Sequence, residues 1–348
     1  MTTIERGPAT PAAPPSQAGP ERRFGSPLLR FLLARVLQMT VTLAVLVPMT
    51  FFLFRAVPGD AASAVIGPDV DPTVADRLRE QYGLDKPLLD QFLAYCGSLL
   101  HGDLGVSFQY KLPVTDLLAE RLLNTGVLVA PALVLAVTIG VGVGAFSATS
   151  HRRFDRFVGT SAFVIKSAPV FWVSTLSLMM VAFTWKLVPS IGMTSPGSHA
   201  EGFGRFLSLD FLHHLVLPLS ILVLYYLVEP MLTMRASMKE ILGQEFIQMG
   251  RAQGLRRRSI VYRHGARNAT LPVVTLAPTL ADNVIGGQVI VETVFSWPGM
   301  GRAVVDAVNN FDYPMMQGIF LITAVTIVVV NATIDVVYAY LDPRVRLR

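Results

Sequence analysis

The stretch QEFIQMGRAQGLRRRSIVYRHGARNATLP, residues 244–272, decides how the rest of the chain is read. It is basic and polar, lies between two long apolar runs, and divides into two short helices, 244–253 and 259–269. The break falls at Gly254, where a residue without Cβ can turn the chain sharply. Arg235, Lys239, Arg251, Arg256, Arg257, Arg258, Arg263 and Arg267 lie in or just before it, against only Glu240 and Glu245. So strong an excess of positive charge beside apolar spans belongs on the cytoplasmic face of a membrane.

The composition agrees. The chain has 348 residues, 52% hydrophobic and 15% charged, with a mean hydropathy of +0.51. Soluble domains carry about 25% charged residues, so the expected class is an integral membrane protein. The net charge of +5 mostly reflects cytoplasmic loops. Cys96 is the single cysteine, which excludes an intrachain disulfide and a cysteine-based zinc site. The six histidines show no H-E-x-x-H spacing and no metal site is expected. No G-x-x-x-x-G-K-[ST] loop occurs, so nucleotide chemistry must come from a partner.

Outward from the elbow, the chain reads as an all-α membrane protein of six spans. Residues 1–30 are expected to be a disordered cytoplasmic tail, because PATPAAPPSQAGP cannot build a core. The first span is 31–54. A signal peptide is the rival reading, helped by Ala62-Ser63-Ala64, but the apolar run exceeds the usual h-region. Residues 55–125 form an extracytoplasmic region, with short helices expected at 73–82 and 88–100 after Pro72 and Pro87. The core, 126–341, holds spans at 126–148, 157–184, 215–234, 271–291 and 315–340, with the elbow occupying 240–270. Gly140, Gly142 and Gly144 offer close backbone approach. Residues 292–314 are expected to be a far-side loop, and 342–348 a basic cytoplasmic tail.

Charge supports this topology independently. Arg22, Arg23, Arg152, Arg153, Arg156, the elbow set, Arg344, Arg346 and Arg348 fall inside. With the long first loop set aside, only Lys186, Arg205 and Arg302 fall outside, so both termini are cytoplasmic.

Gly250, Gly254 and the run Arg-His-x-x-Arg-Asn-Ala-x-Leu-Pro at 263–272 resemble the EAA loop of ABC importer permeases, in its peptide/nickel branch. RAVPGD, YGLDKPLLDQF, GDLGVSF, FSWPGMG and the DPR tail resemble the same branch, so the likeness runs from about residue 31 to the end. Gln248 stands where that family usually has an acidic residue, and Gly250 where it has alanine. The resemblance implies a type I importer permease fold in a bacterial plasma membrane. It implies a second homologous permease, two subunits that bind ATP and Mg and hydrolyse ATP, and an extracytoplasmic binding protein. The chain itself is then no enzyme and has no catalytic residue. Docking on the ATPase is assigned by resemblance to Gln244, Glu245, Gln248, Gly250, Arg251, Gly254, Leu255 and Arg258. The cargo is expected to be a peptide, with glutathione-like compounds, nickel chelates and some sugars as others carried in the branch. The 55–121 region would then be either a platform for the binding protein or a solvated loop.

The elbow has two plainer readings: a lipid-facing basic surface and a nucleic-acid site, which a loop pinned at both ends to bilayer fits poorly. Four ionisable residues fall at membrane depth: Lys166, Glu229, Asp282 and Asp335. Each costs about 2.5–3.5 kcal/mol to insert, so each is expected to face a cavity or a partner. Lys166, Glu229, Asp282 and Asn283 are read as lining a hydrated path for a zwitterionic cargo, near helix interruptions at Pro169, Pro230 and Pro278. The alternative is a structural ion pair from Lys166 to Glu229 or Asp282. Asp335 is expected to be structural, with Asn331 and Arg344. A second class of function, an ion-coupled carrier with a Lys/Glu/Asp relay, stays open on these residues. A membrane-anchored scaffold would need a large soluble domain, which the sequence lacks. The sequons at Asn268 and Asn331 fall inside or within the membrane and are disregarded, and Trp172, Trp185 and Trp297 are read as anchors or packing residues.

Overall fold

A computed structural model describes residues 27–56, 86–197 and 202–341; within these, the side chains of 27–32, 56, 281–287, 335 and 337–341 are outside the description. Every regular element among the described residues is a helix, apart from an isolated bridge between Val106 and Pro113. In order they form α1 Pro27–Ala56, α2 Leu88–Leu100, α3 Val114–Thr149, α4 Arg152–Ser167 and α5 Val170–Ser177, which runs on as a π-helical segment, Leu178–Thr184. A 3₁₀ turn, Gly202–Leu207, leads to α6 Leu209–Tyr226 and α7 Val228–Leu242. Then come α8 Glu245–Ala252, a π-helical Ser259–Ala266 joined to Arg267–Ala269, α9 Leu271–Val274, α10 Ala277–Val294, α11 Met300–Asn309 and α12 Tyr313–Leu341. The expected helix at 73–82 lies outside the described residues. So do 1–26 and 342–348, while α1 already covers 27–30, Pro27 opening it where a missing N–H costs nothing.

Among the described residues, four stretches are long and apolar enough to cross a membrane: Leu33–Arg55, Val114–Thr149, Leu209–Leu242 and Tyr313–Ile334. A fifth counts if α4 and the α5 segment, bent by 96°, form one span. The expected third span is therefore not straight. Pro169 pushes the preceding residue out of helical geometry, and Ala168 is extended at φ −82, ψ 128. The run 271–291 is likewise divided, between α9 and α10, with Pro272 and Pro278 each in a first turn. Only 11–28% of the apolar windows of α1, α3 and α12 is buried within the chain. Apolar surface turned outward is at no disadvantage in lipid, where helices associate by packing rather than by escape from water.

The centre of the fold is α3, at 36 residues about 54 Å long. It packs against α6 and α7, and glycines decide how closely. A Cβ at Gly140 would lie 2.8 Å from the Leu227 carbonyl oxygen, and one at Gly144 would collide with that of Met231. Gly142, on the opposite side, meets nothing within 4 Å. Two of the three glycines singled out therefore set the approach, because i and i+4 share a helix face. Gly144→Ala is expected to force the backbones apart at a cost of about 1–3 kcal/mol, seen as a lowered melting temperature, whereas Gly142→Ala should be near neutral.

The stretch 292–314 is not simply a loop. Helix α10 continues to Val294, and α11 lies within the stretch. Between them Trp297 is fully buried, its Nε1–H donating to the Asn124 carbonyl at 2.9 Å and its ring 5.7 Å from that of Phe211. Trp172 and Trp185 are exposed. On the other flank α1 packs along α12, with the Phe54 and Phe320 rings 5.5 Å apart, and α2 rests on α1 through Phe92 and Tyr95 against Phe51.

Candidate functional site

The elbow forms as two short helices, with bounds within a residue of those read from sequence. Helix α7 ends at Leu242, with Gly243 as its C-cap, and α8 begins with Glu245 in its first turn and has Arg251 in its last, each complementing the helix dipole. At Gly254 φ is +76, the left-handed region that only glycine enters without strain. Its N–H reaches the Arg251 carbonyl at 3.0 Å, and that of Leu255 reaches the Gly250 carbonyl at 3.1 Å. The second helix opens as a π segment, not a regular α-helix. It is seated by Val261 and Ala269 on Met234 and Met238 of α7 and Ala145 of α3.

Gln244, Glu245, Gln248, Arg251, Gly254, Leu255 and Arg258 are all exposed on this elbow. Gly250 is buried; an added Cβ would press on Leu255 at 3.3 Å, a contact a small shift accommodates. Gln248 turns back to the Gly243 carbonyl at 3.3 Å. Arg251, Arg256, Arg257, Arg258, Arg263 and Arg267 are all exposed. Among the described residues no carboxylate lies within 4 Å of any of them. Residue typing missed a second, apolar face of α8: Phe246 is 44% exposed and Met249 63%. They stand three apart on α8, and an exposed apolar patch rimmed by charge is the usual mark of a protein-binding surface. The signal was present in the sequence, as two large apolar residues in a helix too polar to cross a membrane.

Of the residues expected at membrane depth, Lys166 and Glu229 meet, Nζ to Oε1 at 2.9 Å, with side chains 48% and 32% exposed. The pair thus lies at the surface of this chain rather than within it. The side chains of Asp282, Asn283 and Asp335, and all of Arg344, fall outside the described residues. The carbonyl of Ala168, turned out of the helix where the chain is extended, is not left to water; the Tyr225 hydroxyl donates to it at 2.8 Å. A cavity of about 250 Å³ opens between α3, α10 and α12, with Thr125, Gln288, Met300, Thr323 and Thr326 among its lining. Neither Lys166 nor Glu229 lines it.

Three charged centres escaped the sequence reading. Glu292 is 0% exposed. Its carboxylate accepts from the Thr125 hydroxyl at 2.6 Å, the Gly301 N–H at 2.7 Å and the Arg302 N–H at 3.2 Å, so it caps the N-terminus of α11. Asp312, also 0% exposed, caps α12 through the Met315 N–H at 3.2 Å and binds the loop after α2 through Ser107 Oγ and the N–H groups of Phe108 and Gln109. These two carboxylates account for the FSWPGMG and GVSF stretches: both are backbone turns folded around an acid. The third centre is Asp155, at the polar start of α4 ahead of its apolar run. It accepts from Arg235 at 2.6 and 2.9 Å, Lys239 at 2.6 Å and Ser147 at 3.1 Å. The Arg235 guanidinium holds its carboxyl well below the usual carboxylate range.

The fold and this polar elbow define an all-α, multi-pass membrane protein. Residues 140–347 match the family of binding-protein-dependent transport system inner membrane components, and residues 28–129 match the N-terminal model of such membrane components. The chain belongs to that family. It is 37% identical over 324 residues to a putative peptide permease protein of Brucella ovis, covering 92% of this chain and 100% of that one. It is 32% identical over 338 residues to a dipeptide transport system permease protein of Escherichia coli K12, covering 92% and 99%. To an oligopeptide transport system permease protein of Bacillus subtilis it is 31% identical over 317 residues, covering 90% and 98%.

Proposed function

We propose that this chain is half of the translocation path of an ATP-driven peptide importer. It acts with a second permease, two ATPase subunits that carry the ATP and Mg, and an external binding protein. It crosses the membrane six times with both termini cytoplasmic. Its elbow docks on an ATPase subunit, and ATP-driven closure of the ATPases moves the elbow and with it the helices on either side. The observation that supports this reading is α8, which exposes Phe246 and Met249 on one face and Arg251, with no carboxylate within 4 Å among the described residues, on another. The peptide cargo rests on the relatives, which are named for peptides, dipeptides and oligopeptides. Lys166, Glu229, Asp282 and Asn283 line the path. A charged pair at membrane depth that reaches the surface of its own chain needs water or a partner opposite it, which supports this part.

The test is the complete transporter in proteoliposomes, with dialanine to pentaalanine as cargo. Arg251→Glu is expected to lower uptake about tenfold while hydrolysis continues, a coupling free energy of ordinary size; unchanged uptake would remove the docking role. Lys166→Met and Asp282→Asn should alter rate or preference among these peptides, and the path assignment fails if neither does. The chain alone should be silent. Uptake driven by a proton gradient without the ATPases would instead establish a carrier.

A further inference from the structure

Helices α4 and α7 are joined by opposite charges at both ends. Asp155 and Lys166 are eleven residues apart in α4, which at 3.6 residues per turn puts them within about 20° of one face. Between them on that face, Val158 and Ala162, 5% and 1% exposed, pack against Val228 and Met231 of α7 at 0% and 4%. The stripe therefore runs acid, apolar, apolar, base. Helix α7 runs antiparallel and answers it: Arg235 and Lys239 meet Asp155 at the elbow end, and Glu229 meets Lys166 at the other. Arg235 and Lys239 are i and i+4, so one face of α7 presents both cations to a single carboxylate. A slip of one turn, about 5.4 Å, would break both ends at once.

The same carboxylate also gathers the neighbouring turn. Ser147, 0% exposed near the end of α3, donates to Asp155 at 3.1 Å. Within the elbow, just past the turn at Gly254, Arg257 donates to the Thr149 carbonyl at 3.1 Å. Thus the α3–α4 turn is held both by the helix that leads into the elbow and by the elbow itself. At the far end of α4 the chain bends by 96° at Ala168–Pro169, a natural hinge.

We infer that α4 and α7 form one lever in fixed register, and that Asp155 is the positioning residue that makes the α3–α4 turn travel with the elbow. This rests on the coupling role proposed above and adds the route: displacement of α8 passes through α7 to α4 without sliding between them, and is taken up at Pro169.

The test uses the complete transporter in proteoliposomes with Cys96→Ser and nitroxides on Arg156→Cys and Glu240→Cys, two exposed positions at the elbow ends of α4 and α7. With Asp155 present, the label separation should hold within about 2 Å between nucleotide-free and ATP-vanadate-trapped states, the size of ordinary packing adjustment. With Asp155→Asn it should broaden or shift by about a helical turn, roughly 5 Å, and dialanine carried per ATP should fall about tenfold. Asp155→Glu, which keeps the charge, should restore both. A shift of about 5 Å with Asp155 intact overturns the lever, as does an Asp155→Asn complex that matches its parent in both readouts. If Asp155→Asn fails to assemble, the parent's two distances still decide. Arg251→Glu in the same preparation separates the two claims. If it uncouples while Asp155→Asn does not, only the lever falls; if it too is normal, the coupling role falls.

Discussion

Replacing Gly254 with proline is expected to abolish coupled uptake while leaving the complex assembled and still hydrolysing ATP. Proline fixes φ near −65°, whereas the chain at Gly254 has φ +76. The substitution also deletes the N–H that reaches the Arg251 carbonyl at 3.0 Å. Together these cost about 3 kcal/mol or more, enough to depopulate the native turn roughly a hundredfold. The damage is local, because the position is exposed, an added Cβ meets nothing within 4 Å, and the second elbow helix has its own seat on α7. What is lost is the direction in which α8 presents Phe246, Met249 and Arg251. Gly254→Ala forces a side chain into the same left-handed backbone at about 1–2 kcal/mol, so its uptake should fall between the two. Uptake and hydrolysis measured together in proteoliposomes decide the matter, and normal uptake by the proline variant would mean that the turn has no part in coupling.

The second large effect is expected at the opposite end of the molecule. Glu292→Ala removes the one acceptor shared by the Thr125 hydroxyl and the N–H groups of Gly301 and Arg302, in a place with no exposure. Each buried donor left without a partner costs about 1–3 kcal/mol. The loss should therefore total several kcal/mol and lower the thermal midpoint by roughly 5–15 °C. Glu292→Gln keeps the volume and one acceptor oxygen, so its loss should be about half as large. The surroundings leave no room for repair: a Cβ at Gly299 would collide with this carboxylate, and one at Gly301 would sit 2.5 Å from the Val289 Cα. Uptake should fall with stability, since α10 loses its ties to α3 and to the N-terminus of α11. Melting of the detergent-solubilised complex within about 2 °C of the parent would show that the carboxylate is not a structural anchor.

These two positions differ in how far residue order reveals them. Gly254 is legible because a turn between two short helical patterns, flanked by arginines, needs a residue without Cβ there. Gly140 and Gly144 are legible for the same local reason, although sequence could not separate them from Gly142, which faces open space. Glu292 is illegible: it sits at the end of an apolar run and looks like the first polar residue of a loop. Its partners are a hydroxyl 167 positions earlier and backbone N–H groups, whose availability is not written in residue type. Asp312 and Asp155 were missed likewise, one serving a loop 205 positions away and the other joining helices 80 positions apart.

By itself the order of residues determined that this chain is helical, that it lives in a membrane, and that a basic elbow turns at Gly254. Hydropathy, charge and glycine act over a few residues, and those few are read directly. Only the tertiary structure decided which acids are buried and what they hold, that the Pro169 segment bends by 96°, and that α4 and α7 match charge for charge. A buried charge must find its partners wherever the fold brings them, and distance along the chain says nothing about that.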